Sequence, residues 1–309
     1  MQFDIKLDWM NNISVVINTL NEEKNLPNAL ASIKDFADEV VVVDMYSDDD
    51  TVVIAKGAEA KVFEHKRVGF VEPARNFAIE KATGDWILIL DADEEISRTL
   101  AGVLKNISED PKSADYYALP RKNIIFGKWI KHSRWWPDFN VRFFKKGHVS
   151  WSEIIHSVPV TNGKGADLPV IEENAILHNN YNSVDQYIER LNRYTTYQAP
   201  ILIKGGYAFS WVDLIREPVS EFVGRYFQGG GYKDGVHGLA LAFLQAFSEL
   251  VLYLKIWQEE KFEAKSLTLT NVVKEIKTAQ KEINYWAANT QLNEGGSLIN
   301  RVKRRFKLL

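Results

Sequence analysis

An α/β fold, with a parallel sheet built first and a mainly helical region after it, is predicted by three observations. Apolar, β-branched runs alternate with helical segments as far as Leu90. Each of the main runs stops abruptly at a polar or acidic cluster. From about Ser183 onward the strand pattern gives way to helical spacing.

The elements follow in order. Ile13–Ile17 reads as a strand. Asn25 to Leu30 opens a helix, with Asn25 as the expected cap and Pro27 in the first turn. Val40–Asp44 is a second buried strand, and a helix starts over Asp50–Ala55. Lys61–Phe63 is a short strand, and Pro73–Ala82 a helix stopped near Gly84. Trp86–Leu90 is apolar throughout, as a strand covered on both faces must be. After Ile96 the pattern changes to separate strands over Tyr116–Pro120, Val141–Phe144 and Ile155–Val160, in a segment rich in Trp and Phe. Leu239, Phe243, Phe247, Leu250, Leu254 and Trp257 recur at helical spacing. The spacing predicts two domains, 1–180 and 181–309, the second with an acceptor, oligomer or membrane-interface role.

Bulk composition narrows the class. The chain has 309 residues, 46 % of them hydrophobic, enough for a sizeable core. A formal net charge of -3 gives no reason to expect nucleic-acid binding. With no cysteine there is no disulfide, thiolate catalysis or cysteine-bound zinc. Met1–Lys6 lacks the basic-then-apolar build of a secretion signal. The most apolar stretch, Gly238–Trp257, is interrupted by Gln245, Ser248, Glu249 and Lys255, so no clear membrane span is expected.

The chemistry lies at the strand ends. Asn18–Glu23, Asp44–Thr51 and Asp91–Glu94 follow the first, second and fourth strands, so all three clusters belong to one edge of the sheet. Open α/β sheets bind ligands at that edge. Asp91 and Asp93, one residue apart on a rigid strand end, suit a hard divalent cation held against nucleotide phosphates. No glycine-rich phosphate loop is present, so metal and basic side chains must hold the phosphates, with Arg75 as the candidate. Asp-x-Asp pairs also serve as caps, and one acid of Asp48–Asp50 is expected simply to cap the helix after it.

Four segments carry a resemblance. SVVINTLNEEKNLPNALASI, VVVDMYSDDDT, EPARNFAIEKATGDWILILDADEEIS and RKNIIFGKWIKHSRWWPDFNVRFFKKGHVSW, the last continuing to IHSVPV, occur in this order. With EPVSEFVGRYFQGGGYKDGVHGLALAFLQAF they resemble glycosyltransferase family 2, in the branch of bacterial lipopolysaccharide inner-core glucosyltransferases, over roughly residues 12–258. The resemblance implies a GT-A fold, a nucleotide-sugar donor (UDP-linked above all), a divalent metal, Mg²⁺ or Mn²⁺, and inversion at the anomeric carbon. It implies a glycan or glycolipid acceptor in the cell envelope and a cytoplasmic enzyme, peripheral on the inner face of the membrane. Homo-oligomers are compatible with it.

By the same resemblance Thr19, Asn21, Glu22 and Asp44 line the nucleoside site and Asp49 is the acid of the second loop. Arg75 approaches the diphosphate, Asp91 the ribose or sugar, and Asp93 the metal. His156 stands where the family has a histidine and is either a further metal ligand or a core histidine. Ser157 follows it where the family carries glutamate. The base that takes the acceptor proton is Asp138 or Glu153, with Asp138 favoured. Trp135 and Trp136 are either a sugar platform or core packing. His65, His132, His148 and His178 belong to no pattern, and Arg121 and Arg142 read as ordinary salt-bridge partners. The rival readings are a polyprenyl-phosphate glycosyltransferase, a nucleotidyltransferase and a non-catalytic glycan-binding protein. The Leu239–Trp257 stripe reads first as a packing face against the catalytic domain or another subunit and otherwise as a membrane-surface contact, for which the basic tail Arg301–Lys307 is the better sign.

Overall fold

The computed structural model describes residues 11–67, 72–152 and 159–295. Two compact units divide the chain. One is drawn from Met1–Ile124 and Pro137–Asn180, the other from Ile125–Trp136 and Tyr181–Leu309. Residues 125–136 therefore group with the helical unit, although they fall within 1–180.

In the first unit β1 (Ile13–Thr19), α1 (Leu26–Ile33), β2 (Glu39–Asp44), α2 (Thr51–Gly57), β3 (Lys61–Glu64), α3 (Glu72–Lys81) and β4 (Trp86–Asp91) alternate as expected. β5 (Glu94–Glu95), α4 (Arg98–Glu109) and β6 (Tyr116–Ile125) follow. After the short β7 (Lys128–Trp129) of the second unit come β8 (Asp138–Lys145), β9 (Val149–Ser150), β10 (Val160–Thr161), β11 (Gly165–Asp167) and β12 (Ile176–Tyr181). The main sheet runs β3-β2-β1-β4-β8-β6-β12-β5. Its first four strands are parallel, and β8 returns antiparallel against β4 and β6.

Side-chain period explains the layers. Leu26, Ala29, Leu30 and Ile33 put one face of α1 on Val15, Ile17, Val42, Leu88 and Leu90. Each large aliphatic chain buried this way stabilises by roughly 1.5–3 kcal/mol. The opposite sheet face, Val16, Val41, Val43, Ile87 and Ile89, packs with Ala78, Ile79 and Ala82 at the end of α3. Gly84 then makes a close approach. A Cβ there would sit 2.7 Å from the Asn12 carbonyl oxygen and 2.8 Å from the Ser14 nitrogen. The helix α4 escaped the sequence reading, although Ser97 caps it by accepting from the Leu100 N–H at 3.0 Å. Asn25 does not cap α1 with its side chain; its amide donates to Glu22 Oε2 at 2.7 Å.

The second unit holds α5 (Val184–Lys204), α6 (Asp213–Val223), a π-helical turn Gly224–Gln228, a short 3₁₀ turn Gly231–Asp234, α7 (Val236–Glu259) and α8 (Leu269–Asn293). Ile125, Ile130, Tyr187, Leu191 and Leu241 form one core, and Ala199, Phe209, Leu252 and Ile256 another. The buried side of α7 is Leu241, Ala242, Ala246, Leu252 and Ile256, offset from the stripe picked out by spacing. Phe243, Phe247 and Leu254 of that stripe stay outside, at 59 %, 45 % and 38 % exposure. The helix is apolar nearly all round, so spacing alone could not say which side packs. Among the described residues α7 is the one helix long and apolar enough to cross a membrane by length and composition. Two of its polar groups have partners in this unit: Gln245 donates to the Tyr187 hydroxyl at 2.6 Å, and Lys255 to the Asn192 carbonyl at 2.6 Å.

The glycine-rich turn serves a strained neighbour. Ser133 and Arg134 are both left-handed, at φ 59° and 68°, a conformation non-glycine residues rarely adopt. Arg225 donates to the Ser133 carbonyl at 2.7 Å, and Asp234 accepts from the His132 N–H at 2.9 Å. A Cβ on Gly238 would lie 1.8 Å from the Gly231 carbonyl oxygen, so only glycine fits there.

Candidate functional site

The carboxyl ends of β1, β2 and β4 lie level, because Thr19 pairs with Asp44 and Asn18 with Asp91. Three groups of predicted residues meet at this edge, each with its own partners.

Thr19 and Asp44 continue the sheet face of Ile17 and Val42 and are almost fully buried. The Thr19 hydroxyl donates to Asp44 Oδ1 at 2.9 Å, and Ser47 donates to the same carboxylate from its hydroxyl at 2.6 Å and its N–H at 2.8 Å. The first and second loops are then laced together. The Asn21 N–H donates to the Ser47 hydroxyl at 2.8 Å and the Asp48 N–H to Asn21 Oδ1 at 2.8 Å. The Glu22 N–H donates to the Thr51 hydroxyl at 2.8 Å and the Glu23 N–H to Asp49 Oδ2 at 3.1 Å. Burial works to raise Asp49, but the Thr51 hydroxyl and the Glu23 and Thr51 N–H groups hold it below its ordinary range. Asp49, not Asp50, supplies the cap-like bond to the Thr51 N–H, at 3.0 Å. These hydrogen bonds join the two loops into one continuous polar wall.

Asp91 emerges on the other face, continuing Ile87 and Ile89. Arg75 of α3 meets its Oδ1 at 2.8 Å and Arg142 of β8 its Oδ2 at 2.6 Å. Burial opposes ionisation there, and the Arg142 and Arg75 guanidiniums outweigh it, holding the carboxyl well below the usual range. Arg75 also lies over the Trp151 ring, 5.7 Å from its centroid. Its partner in the structure is thus Asp91. Glu94, fully buried, closes the turn by accepting the Asp91 N–H at 2.9 Å and pairs with Arg142 at 2.9 Å and Arg121 at 3.2 Å. Arg121 and Arg142 are salt-bridge partners, as read from the sequence.

Asp138 completes this network. Arg121 meets its Oδ2 at 2.6 Å, the Asn123 amide donates to the same oxygen at 3.1 Å, and Asn140 donates to Oδ1 at 3.2 Å. Burial pushes its pKa up, but Arg121 and Asn123 more than offset that and lower it. A carboxylate paired in this way has its orientation fixed and its lone pairs available to hydrogen-bond donors.

Asp93 faces a residue that no motif had marked. The turn after β4 leads into β5, which pairs with β12 in the register His178 opposite Glu94. That register brings His178 Nε2 to 3.6 Å from Asp93 Oδ2, with both residues buried. Eighty-five positions of sequence separate them, so only strand pairing reveals the neighbourhood. Among the described residues no group of three or more His, Asp or Glu side chains is gathered for a metal. One carboxylate and one imidazole fit an ion such as Mn²⁺, which accepts nitrogen as well as oxygen ligands and takes its remaining ligands from water and substrate phosphates. Glu153 and His156 lie outside the described residues, as does the basic tail.

Trp135 and Trp136 belong to the second unit. Trp135 packs beside the Ile125, Ile130 and Tyr187 core with Arg225 over its ring at 5.8 Å, and Trp136 meets Trp129 edge-on at 5.2 Å. The packing role of this pair is thus visible within its own unit.

Comparison with known proteins agrees with this architecture. Residues 14–162 match the family described as glycosyl transferase family 2. An uncharacterized glycosyltransferase of Rickettsia typhi is 32 % identical over 255 residues, 80 % of this chain and 87 % of that protein. The lipopolysaccharide core biosynthesis glycosyltransferase LpsC of Rhizobium meliloti is 24 % identical over 260 residues, 82 % of this chain and 94 % of its own length. Among solved structures, S. aureus TarS 1–349 aligns with a TM-score of 0.45 at 14 % identity, covering 79 % of this chain and 91 % of that one. A parallel β3-β2-β1-β4 sheet with acids along its carboxyl edge, a helical C-terminal region, the family match and the Rickettsia typhi relative together identify a GT-A glycosyltransferase: the chain belongs to glycosyltransferase family 2.

Proposed function

We propose that this enzyme moves a hexose, with inversion, from a UDP-linked donor to a hydroxyl of a cell-surface glycan or lipopolysaccharide core, with the help of Mg²⁺ or Mn²⁺. The observation that carries the reading is the Asp93–His178 pair at the end of β4, beside an Asp91 kept ionised by two arginines. The LpsC relative supports the choice of acceptor class. In this reading Asp93 and His178 hold the ion. When bound, such an ion offsets charge growing on the departing nucleoside diphosphate.

The chain's own residues do the rest. The loop wall of Thr19, Asn21, Glu22, Asp44 and Asp49 presents fixed polar edges to the nucleoside. Asp91 orients the ribose or sugar hydroxyls, and Arg75 shares its charge between Asp91 and the diphosphate. Asp138 orients the attacking hydroxyl through Oδ1, and either it or Glu153 receives the proton. His156 remains a proposed further ligand. The exposed Phe243, Phe247 and Leu254 of α7 support contact with the inner face of a membrane that carries the acceptor.

The test is a panel of nucleotide sugars, with Mg²⁺ or Mn²⁺, scored by thermal shift and then by nucleotide release onto a lipopolysaccharide-core acceptor. A UDP-hexose that stabilises the protein only with the ion, and an anomerically inverted product, are expected. No stabilisation by any nucleotide sugar with either ion would remove the proposal. In pH–rate profiles of Asp138→Asn and Glu153→Gln, the variant that abolishes the acidic limb identifies the base.

A further inference from the structure

A buried polar chain runs from Asp93 to Asp138 through the first unit. His178 Nδ1 lies 2.7 Å from Asn123 Oδ1, and the Asn123 amide nitrogen donates to Asp138 Oδ2 at 3.1 Å. Asn123 has no exposed surface at all. A buried primary amide is costly unless its hydrogen bonds are made, so its presence on β6 calls for a reason.

The chemistry of the chain orders its protons. Arg121 keeps Asp138 ionised, and an ionised carboxylate only accepts. Asn123 must therefore turn its NH₂ to Asp138 and its oxygen to His178. The Asn180 amide, which donates to that same Oδ1 at 3.5 Å, agrees with this orientation. An amide oxygen also only accepts, so His178 Nδ1 carries the proton. In neutral imidazole the other nitrogen is then a bare lone pair. That nitrogen, Nε2, is the one facing Asp93 Oδ2.

We infer that Asn123 is a positioning residue for the ion seat: with its orientation set by Asp138, it locks His178 in the Nδ1–H tautomer and aims the Nε2 lone pair beside the Asp93 carboxylate. The inference rests on the Asp93–His178 seat proposed above. It also ties the residue that orients the acceptor to the residues that hold the ion, through one amide. Metal-bound histidines depend on such outer partners, whose loss typically lowers metal affinity about 10–100-fold.

Two measurements test it on the full chain. The first needs no metal. Nitrogen-15 spectra of histidine-labelled protein at pH 8, with His178→Gln used to assign the resonance, should show His178 as the Nδ1–H tautomer. An Nε2–H tautomer or an imidazolium overturns the inference. The second is titration with Mn²⁺ in the presence of UDP, alongside metal-free melting curves. Asn123→Leu should weaken Mn²⁺ binding about 10–100-fold, whereas Asn123→Asp, which keeps an acceptor toward Nδ1, should stay within about threefold of the parent protein. Equal affinity in Asn123→Leu, or equal loss in both variants, overturns the inference. If Asn123→Leu does not fold, Asn123→Asp and the tautomer decide. If His178→Ala and Asp93→Ala bind Mn²⁺ as the parent does, the seat itself is wrong, and the tautomer spectrum still judges Asn123 on its own.

Discussion

The two ends of the parallel strands use the same kind of residue for opposite purposes. At the amino end, Glu39 of β2 accepts from the Thr83 N–H at 2.7 Å and the Thr83 hydroxyl at 3.0 Å, pairs with Lys61 at 2.6 Å, and also accepts from the Ser14 hydroxyl. Gly84 packs against β1 without room for a methyl group. At the carboxyl end, Asp91 is held by Arg75 and Arg142 while 28 % of its side chain stays open, and Asp93 faces a histidine rather than a lysine. One end is a closed knot tied largely by neutral donors. The other is a charged network with an open side. A buried carboxylate therefore says little by itself; its partners and its remaining exposure separate a structural acid from one placed to act.

Substitution at either end of the strands should separate stability from activity. The largest effect is expected from Asp93→Ala. Glycosyl transfer should fall by about 10³-fold or more while the metal-free melting temperature changes little. Activity within about tenfold of the parent would place the chemistry elsewhere. Gly84→Ala should do the reverse, lowering stability by about 1–3 kcal/mol in a denaturant titration. The activity of the remaining folded protein should be kept, and loss of activity without loss of stability would contradict the division between the two ends.

Glu39 offers a pH test. Burial works to raise its pKa, yet the Lys61, Ser14 and Thr83 bonds bring it down from 4.5 to about 2. A carboxyl lowered on folding contributes stability above its unfolded pKa and loses it as pH falls through the folded value. Glu39→Gln should therefore cost about 1–2 kcal/mol at pH 7, and the difference from the parent should shrink as pH drops from 4.5 toward 2. A penalty that does not change with pH would show that the charge is not what matters.

The smallest effect concerns Glu249 on α7, a carboxylate of the opposite kind. Burial, with Glu221 and Glu217 nearby, pushes it up from 4.5 to about 7. A raised carboxyl favours the folded state only while protonated, so it removes stability as pH rises from 4.5 through about 7. Glu249→Gln should stabilise the protein by about 1 kcal/mol at pH 8 and have no effect near pH 4. Equal melting of the two proteins at pH 8 would mean that burial there is too slight to count.

Much of the fold was legible from residue order. The runs over Ile13–Ile17, Val40–Asp44, Lys61–Phe63 and Trp86–Leu90 became β1 to β4, because a continuous β-branched run bounded by turn residues has few other stable outcomes. The site was legible only by edge. Residue order placed Thr19, Asp44 and Asp91 at one rim, but not the alternation that sends Thr19 and Asp44 to one sheet face and Asp91 to the other. His178 had no local signal, and Asn123 looked like any polar residue in a mixed strand. The α7 stripe misled because a helix apolar on most sides offers no single period to follow.

By itself, then, the order of amino acids determined the strand–helix alternation, the acidic carboxyl edge and the family, since all three depend on patterns a few residues long. Only tertiary structure decided which partner each acid received: arginines for Asp91, a histidine for Asp93, and an arginine with two amides for Asp138. The physical reason is range. Propensity and side-chain period act over one or two turns of chain, whereas the charge state of a carboxylate is set by whatever pairing of β4, β5, β8 and β12 brings within a few ångströms.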